Sequence, residues 1–178
     1  YKPRGIVCST KKQRQETTVT EYIDYPTRIY PVGRLDKDSE GLLLMTNQGD
    51  LVNRIMRAGN YHEKEYQVTV DHEITDEFVC HMQNGVPILG TVTRPCIVRK
   101  TGRNSFTIVL TQGLNRQIRR MCEALGYKVT TLKRIRIMNV ELGNLKPGEV
   151  RELTEQELKE LYGTVKEREN ERTGQPSE

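Results

Sequence analysis

The sequence predicts an α+β fold, a mixed and mainly antiparallel sheet with short helices packed on it. Three observations predict it. Strand-like and helix-like segments alternate along the 178 residues without an internal repeat. The clearest strand, 65–70, carries Tyr66, Val68 and Val70 on one face at period two. The clearest helix, between Asn115 and Gly126, carries Ile118, Met121, Cys122 and Leu125 at i, i+3, i+4 and i+7.

Taken in order, residues 5–9 read as a strand, and 27–32 as a second, rich in β-branched and aromatic residues. The following Gly33-Arg34-Leu35-Asp36 is polar enough to leave the sheet as a loop. Residues 41–46 form an apolar run too short for a buried helix and read as a central strand. Residues 50–57 place Leu51, Ile55 and Met56 at helical spacing, and Gly59-Asn60 stops that helix. After the strand at 65–70, residues 75–84 place Phe78, Val79 and Met82 on one helical stripe ended by Gly85. Strands follow at 92–98 and 105–111, with a turn at Gly102-Arg103-Asn104 between them. Asn115 is the expected N-cap of the next helix and Gly126 its stop. Arg116, Arg120 and Glu123 lie opposite its apolar stripe. Arg119 sits on the shoulder, able to snorkel outward or to turn in toward a buried carboxylate. Residues 127–140 read as a strand with bases inserted. Thr154, with Glu157 three residues on, makes a capping box that starts a last helix, with Leu158 and Leu161 facing inward. The expected domain spans 1–165, and the polar residues 166–178, with Gly174 and Pro176, are expected to be a disordered tail.

Composition excludes several classes. No run approaches the length of apolar chain a membrane helix needs, and no charged start leads into an apolar segment, so neither a spanning helix nor a secretory signal is expected. Cys8, Cys80, Cys96 and Cys122 are scattered without a CxxC pair, as in a reduced, cytoplasmic protein with buried thiols. The first residue is Tyr1, so the chain is expected to be a fragment or a processed product. The net charge of +4 hides two unlike regions. Residues 149–178 carry nine acids against five bases, whereas 113–136 carry seven bases and a single acid, Glu123. A patch of that density suits a polyphosphate backbone.

Candidate metal and nucleotide sites fail in turn. His62, His72 and His81 make no i,i+4 ligand pair. The stretch from Asp36 begins like a calcium loop but has Asn47 where the bidentate Glu belongs. No GxxxxGK[ST], GxGxxG or GxSxG is present. No metal and no cofactor is expected. What remains is Asp36, in a loop between two strands beside Arg34 and Lys37, whose charges favour the carboxylate; such a group acts as nucleophile or base, or simply closes a turn.

The segment Gly33-Arg34-Leu35-Asp36, continued by Lys37-Asp38-Ser39-Glu40-Gly41-Leu42-Leu43-Leu44-Met45-Thr46-Asn47, resembles the GRLDxxxxGLLLxTN motif of pseudouridine synthases. Lys2-Pro3-Arg4-Gly5, Lys64-Glu65-Tyr66-Gln67-Val68, the run Gly113 to Met121 (GLNRQIRRM) and the closing basic strand from Lys133 to Leu153 resemble further elements of that family, in the same order. The branch is the one that modifies ribosomal RNA, RsuA/RluB/RluE/RluF. Residues 57–66, 85–93 and 134–140 look most like its RluF members, which act on 23S rRNA. The resemblance implies the synthase catalytic fold, two lobes around a cleft, with an N-terminal S4 RNA-binding domain missing from this chain. It implies isomerisation of uridine to pseudouridine by Asp36 on a flipped-out base. Tyr66 would stack on that base, Ile118 would floor its pocket and Arg119 would pair with Asp36. Arg34, Leu35, Lys37, Arg116, Gln117, Arg120, Lys133, Arg134 and Arg136 would contact the RNA, a stem-loop of ribosomal origin, with a tRNA left open as second substrate. The protein is expected to act as a monomer, away from membranes. A noncatalytic RNA-binding module and a DNA-binding regulator are the competing classes. The first is disfavoured by Asp36, Tyr66 and Arg119 occurring together, the second by the lack of a helix-turn-helix pattern.

Overall fold

The computed structural model describes residues 1–12, 15–57 and 61–174. Its helices are α1 (Val19–Ile23), α2 (Gly49–Met56), α3 (Asp76–Asn84), α4 (Gln117–Ala124) and α5 (Glu155–Thr173). Its strands are β1 (Tyr30–Pro31), β2 (Glu40–Gly41), β3 (Met45–Thr46), β4 (Lys64–Val70), β5 (Pro87–Ile88), β6 (Thr91–Val92), β7 (Ile97–Gly102), β8 (Ser105–Leu110), β9 (Val129–Ile137) and β10 (Val140–Glu141). The chain divides into two compact units, Glu63–Ile137 and the combination of Tyr1–His62 with Met138–Glu178.

In the unit Glu63–Ile137, the sheet runs β9-β4-β8-β7 with every pairing antiparallel. Its central strand alternates as predicted. Val68 and Val70 face inward, Val68 opposite Phe106 and Leu132 and Val70 opposite Val129, while Gln67 points to solvent. Phe78 and Met82 of α3 and Ile118, Met121 and Cys122 of α4 cover that face. Each such side chain contributes about 1.5–3 kcal/mol by leaving water. Phe78 packs against Phe106 and Tyr127, with ring centroids at 5.5 and 4.3 Å. The turn at Gly102 joins β7 to β8 as expected. The strand predicted at 92–98 is instead interrupted around Pro95, which has no N–H for a ladder. Its first half, β6, pairs back on β5 as a hairpin.

The other unit departs more from prediction. Residues 5–9 and 27–32 supply only isolated bridges and the short β1, which pairs with β3. The apolar run 41–46 splits into the ends of β2 and β3, although Leu42 and Leu44 are buried. Positive φ values at Gly5 and Gly33 break extended pairing there, whereas Gly41, with a φ of 113°, still bridges to Lys2. Helix α1 was not predicted, yet Thr18 and Glu21 form a complete capping box. Helix α2 matches its expected start, and the stop expected at Gly59-Asn60 lies outside the described residues.

Helix α5 begins at the predicted Thr154 box but runs on to Thr173, well past residue 165, so most of the expected disordered tail is helical. Two contacts account for the extension. Val165 is buried one turn beyond Leu161, and Arg54 of α2 grips Glu169 with two bonds of 2.9 Å. Leu158, expected inside, is partly exposed beside an apolar cavity of about 510 Å³ that also borders Tyr22, Tyr162 and Leu44. Among the described residues no helix is long and apolar enough to cross a membrane. Cys8 and Cys122 are buried, whereas Cys80 is exposed, contrary to the expectation of buried thiols.

Candidate active site

The loop carrying Asp36 is shaped by residues far upstream of it. Gly33 opens it with a φ of 80°, and Leu35 is buried as its root. The backbone N–H of Ser39 donates to the Asp36 carbonyl at 3.0 Å and closes a turn. Three further fastenings come from residues 2–8. The Leu35 N–H donates to Cys8 Sγ at 3.3 Å, and the Gly5 N–H donates to the Lys37 carbonyl at 2.7 Å. Lys2 and Gly41 exchange backbone bonds of 2.8 and 3.0 Å. Asp36 is left half-buried on a short, tethered turn.

Beneath the turn lies Lys2, only 3% exposed. Its Nζ donates to the carbonyls of Pro3 at 2.9 Å and Ile6 at 2.8 Å. Burial pushes this ammonium below its ordinary value, while Cys8 and the carboxylates of Asp36, Asp38 and Glu40 pull it back up. The loop's carboxylates therefore share a buried cation. Of the other loop residues expected at RNA, Leu35 is buried and cannot present its side chain. Arg34 is exposed, and Lys37 reaches Glu16 at 3.2 Å.

In the second unit, Tyr66 stands on β4 opposite Ile108 of β8 and Arg134 of β9. The β4–β9 register shifts between Glu65 and Tyr66, so Glu65 faces Arg136 while Tyr66 faces Arg134, and Ile135 is the extra residue. Two arginines that a regular strand would point the same way are thereby turned apart. Arg134 joins the Tyr66 row and is 3% exposed, which corrects the expectation that it grips phosphate from the surface. Arg136 meets Glu63 at 3.1 Å and Glu65 at 3.8 Å, so its charge is partly compensated already. Lys133 lies opposite Gln67, on the other face. Lys64, at the start of β4, is held below its ordinary value by burial and then by the Arg134 charge. Two cations on the Tyr66 side of the sheet favour an anionic group there. Residue types alone did not reveal this, because it depends on the register shift.

Helix α4 starts two residues later than the expected cap. Arg116, at φ 49° and ψ 38°, is its N-cap, and Asn115 is used otherwise. Arg120 folds back to donate to the Asn115 carbonyl at 3.0 Å and to Asn115 Oδ1 at 2.9 Å. Gln117, expected at RNA, is buried, a third correction after Leu35 and Arg134. Its Oε1 accepts the Leu114 N–H at 3.1 Å and its Nε2 donates to Gln112 Oε1 at 3.2 Å, so the amide is consumed in holding the loop before the helix. Ile118 is buried on the sheet side, Arg119 is half-buried on the shoulder, and Arg116 is exposed. Asp36, Arg34, Leu35 and Lys37 thus share one loop of the first unit. Tyr66, Ile118, Arg119 and the remaining bases belong to the second.

The candidate site therefore has two parts, a tethered carboxylate loop in one unit and a tyrosine with a basic helix on an antiparallel sheet in the other. Residues 1–124 match the RNA pseudouridylate synthases, and the chain belongs to that family. It is 57% identical over 164 residues to the dual-specificity RNA pseudouridine synthase RluF of Salmonella typhi. That match covers 92% of this chain and 56% of the relative, so the chain spans little more than half the relative's length. It is 34% identical over 168 residues to the ribosomal large subunit pseudouridine synthase B of Bacillus subtilis, covering 90% of this chain and 69% of the relative. A crystal structure of a pseudouridylate synthase superposes with a TM-score of 0.83 at 32% identity, covering 90% of this chain and 70% of that one. The α+β fold and the family that the motifs suggested are both confirmed.

Proposed function

We propose that the chain isomerises uridine to pseudouridine in ribosomal RNA, 23S rRNA by its likeness to RluF, with Asp36 as the catalytic carboxylate. In this reaction the N1–C1′ bond breaks, the uracil turns, and C5 bonds to C1′. A proton leaves C5 and one is taken up at N1, so nothing is consumed. The observation that carries the reading is Asp36 itself, at the end of the Gly33-Arg34-Leu35 run and tethered from Cys8, Gly5 and Lys2. A carboxylate so tethered loses little freedom on meeting a substrate, which is what a positioned catalytic group requires.

In this reading Arg119 pairs with Asp36, Tyr66 stacks on the flipped uracil and Ile118 lies beneath it. Arg34, Lys37, Arg116, Arg120 and Lys133 hold the RNA backbone, with Arg136 assisting. No cofactor takes part. The relative's dual specificity supports a second RNA substrate, for which tRNA is our candidate. The enzyme works as a cytoplasmic monomer on stem-loop RNA.

The test is Asp36→Asn, which keeps shape and removes charge. Tritium release from 5-tritiated uridine RNA is expected to stop while RNA binding persists; continued release would remove Asp36 from the chemistry.

A further inference from the structure

The β5–β6 hairpin lies in residues 85–93, one of the segments that resemble RluF members, and the proposed chemistry leaves it unused. Its two turn residues are Leu89 and Gly90, with φ of 49° and 73°. Positive φ at both positions defines a type I′ turn, whose first position favours Asn or Gly because other side chains are strained there. A leucine occupies it, and it is 54% exposed. The strain secures no burial in return. Beside it, Pro87 and Val92 are cross-strand partners, both exposed, Val92 by 59%.

The base of this tip is rigid. Ile88 is rooted in the core. The Val86 N–H donates to Thr93 Oγ1 at 2.9 Å, and the Thr93 N–H donates to the Val86 carbonyl at 3.1 Å. The hairpin is also tied to the basic helix. The Arg94 N–H and Gln117 Nε2 both donate to Gln112 Oε1, at 3.1 and 3.2 Å, and β5 packs against α4. An apolar point in strained backbone is thus fixed to the helix that carries Arg116 and Arg120.

We propose that Leu89, flanked by Pro87 and Val92, is a preformed apolar wedge that packs against unstacked bases of the substrate RNA next to the flipped uridine. The inference rests on the RNA-isomerase reading. Apolar side chains pushed between base steps lower the cost of unstacking, and a rigid wedge does so without ordering itself on binding. A backbone held at its phosphates by Arg116 and Arg120 of α4 would bring its bases to this tip, which favours RNA over a protein partner.

The test compares the full chain with Leu89→Asn and Val92→Thr on a ribosomal stem-loop carrying 2-aminopurine beside the target. Asn suits the turn, so Leu89→Asn is expected to melt no lower than the parent. Its kcat/KM for pseudouridine formation is expected to fall about tenfold, and its 2-aminopurine signal to stay quenched where the parent's brightens. Val92→Thr is expected to give a smaller loss in the same direction. If the parent turns over and Leu89→Asn matches it within about twofold, the wedge is overturned and the isomerase reading stands. If the parent itself forms no pseudouridine, the isomerase reading fails, and the wedge with it.

Discussion

Replacing Lys2 by Met tests the architecture around Asp36. Methionine keeps the unbranched stem but removes the ammonium and its two bonds, to the Pro3 and Ile6 carbonyls at 2.9 and 2.8 Å. Bonds from a charged donor contribute about 1.5–3 kcal/mol each, and stranding buried acceptors costs a similar amount. Against this, the variant no longer has to bury a charge. The balance is a loss of about 3 kcal/mol, or about 6–12 °C in Tm for a chain of this size. The wild type carries a second signature. Lys2 is less basic folded than unfolded, so between its folded value and 10.5 the unfolded chain holds more protons. Stability therefore rises with pH across that window in the wild type, and this component disappears in Lys2→Met. Thermal melts by circular dichroism from pH 7 upward measure both effects, and tritium release reports whether the Asp36 loop still works. A variant melting within about 2 °C of the parent, with an unchanged pH slope, would show that the buried ammonium does not hold the loop.

Glu157 is held at about 2 by Arg151, whose guanidinium makes two bonds to it of 2.7 and 2.8 Å. Its stabilisation is present above the ordinary carboxylate value of 4.5 and lost as pH falls toward 2. With solvent screening, Glu157→Gln should cost about 1 kcal/mol near neutrality, and its Tm deficit should shrink toward zero in acid. Gly85 has a φ of 107°, and a methyl group there would lie 2.6 Å from the Thr93 carbonyl oxygen. Gly85→Ala should therefore cost about 2 kcal/mol or more, read by urea denaturation.

The sheet of the second unit was legible because period-two burial in 65–70 and the Gly102 turn act locally, and α3 and α4 followed from apolar stripes alone. The strands of the first unit were not, because they and its bridges depend on glycine φ values and on pairings across long stretches of chain, as between Lys2 and Gly41. Helix α1 left a signal that went unused, the Thr18 and Glu21 capping box. Asp36 and Lys2 both stood in motifs, but the burial of Lys2 and the place of Cys8 against the loop did not show, since a lysine is ordinarily assigned to the surface. Gln117 and Arg134 were misplaced for one reason. The resemblance carries over residue identities and not side-chain direction, which an unconventional helix start and a shifted register set.

The extra residue in β9 has a consequence for how this surface can change over generations. Because Ile135 separates Arg134 and Arg136 onto opposite sides, the two positions are free to drift independently, as if they lay on different elements. Removing Ile135 would turn the bulge into a regular ladder with Arg134 and Arg136 still on opposite faces, whereas flattening the bulge with every residue kept would carry Arg136 and the residues after it to the other face.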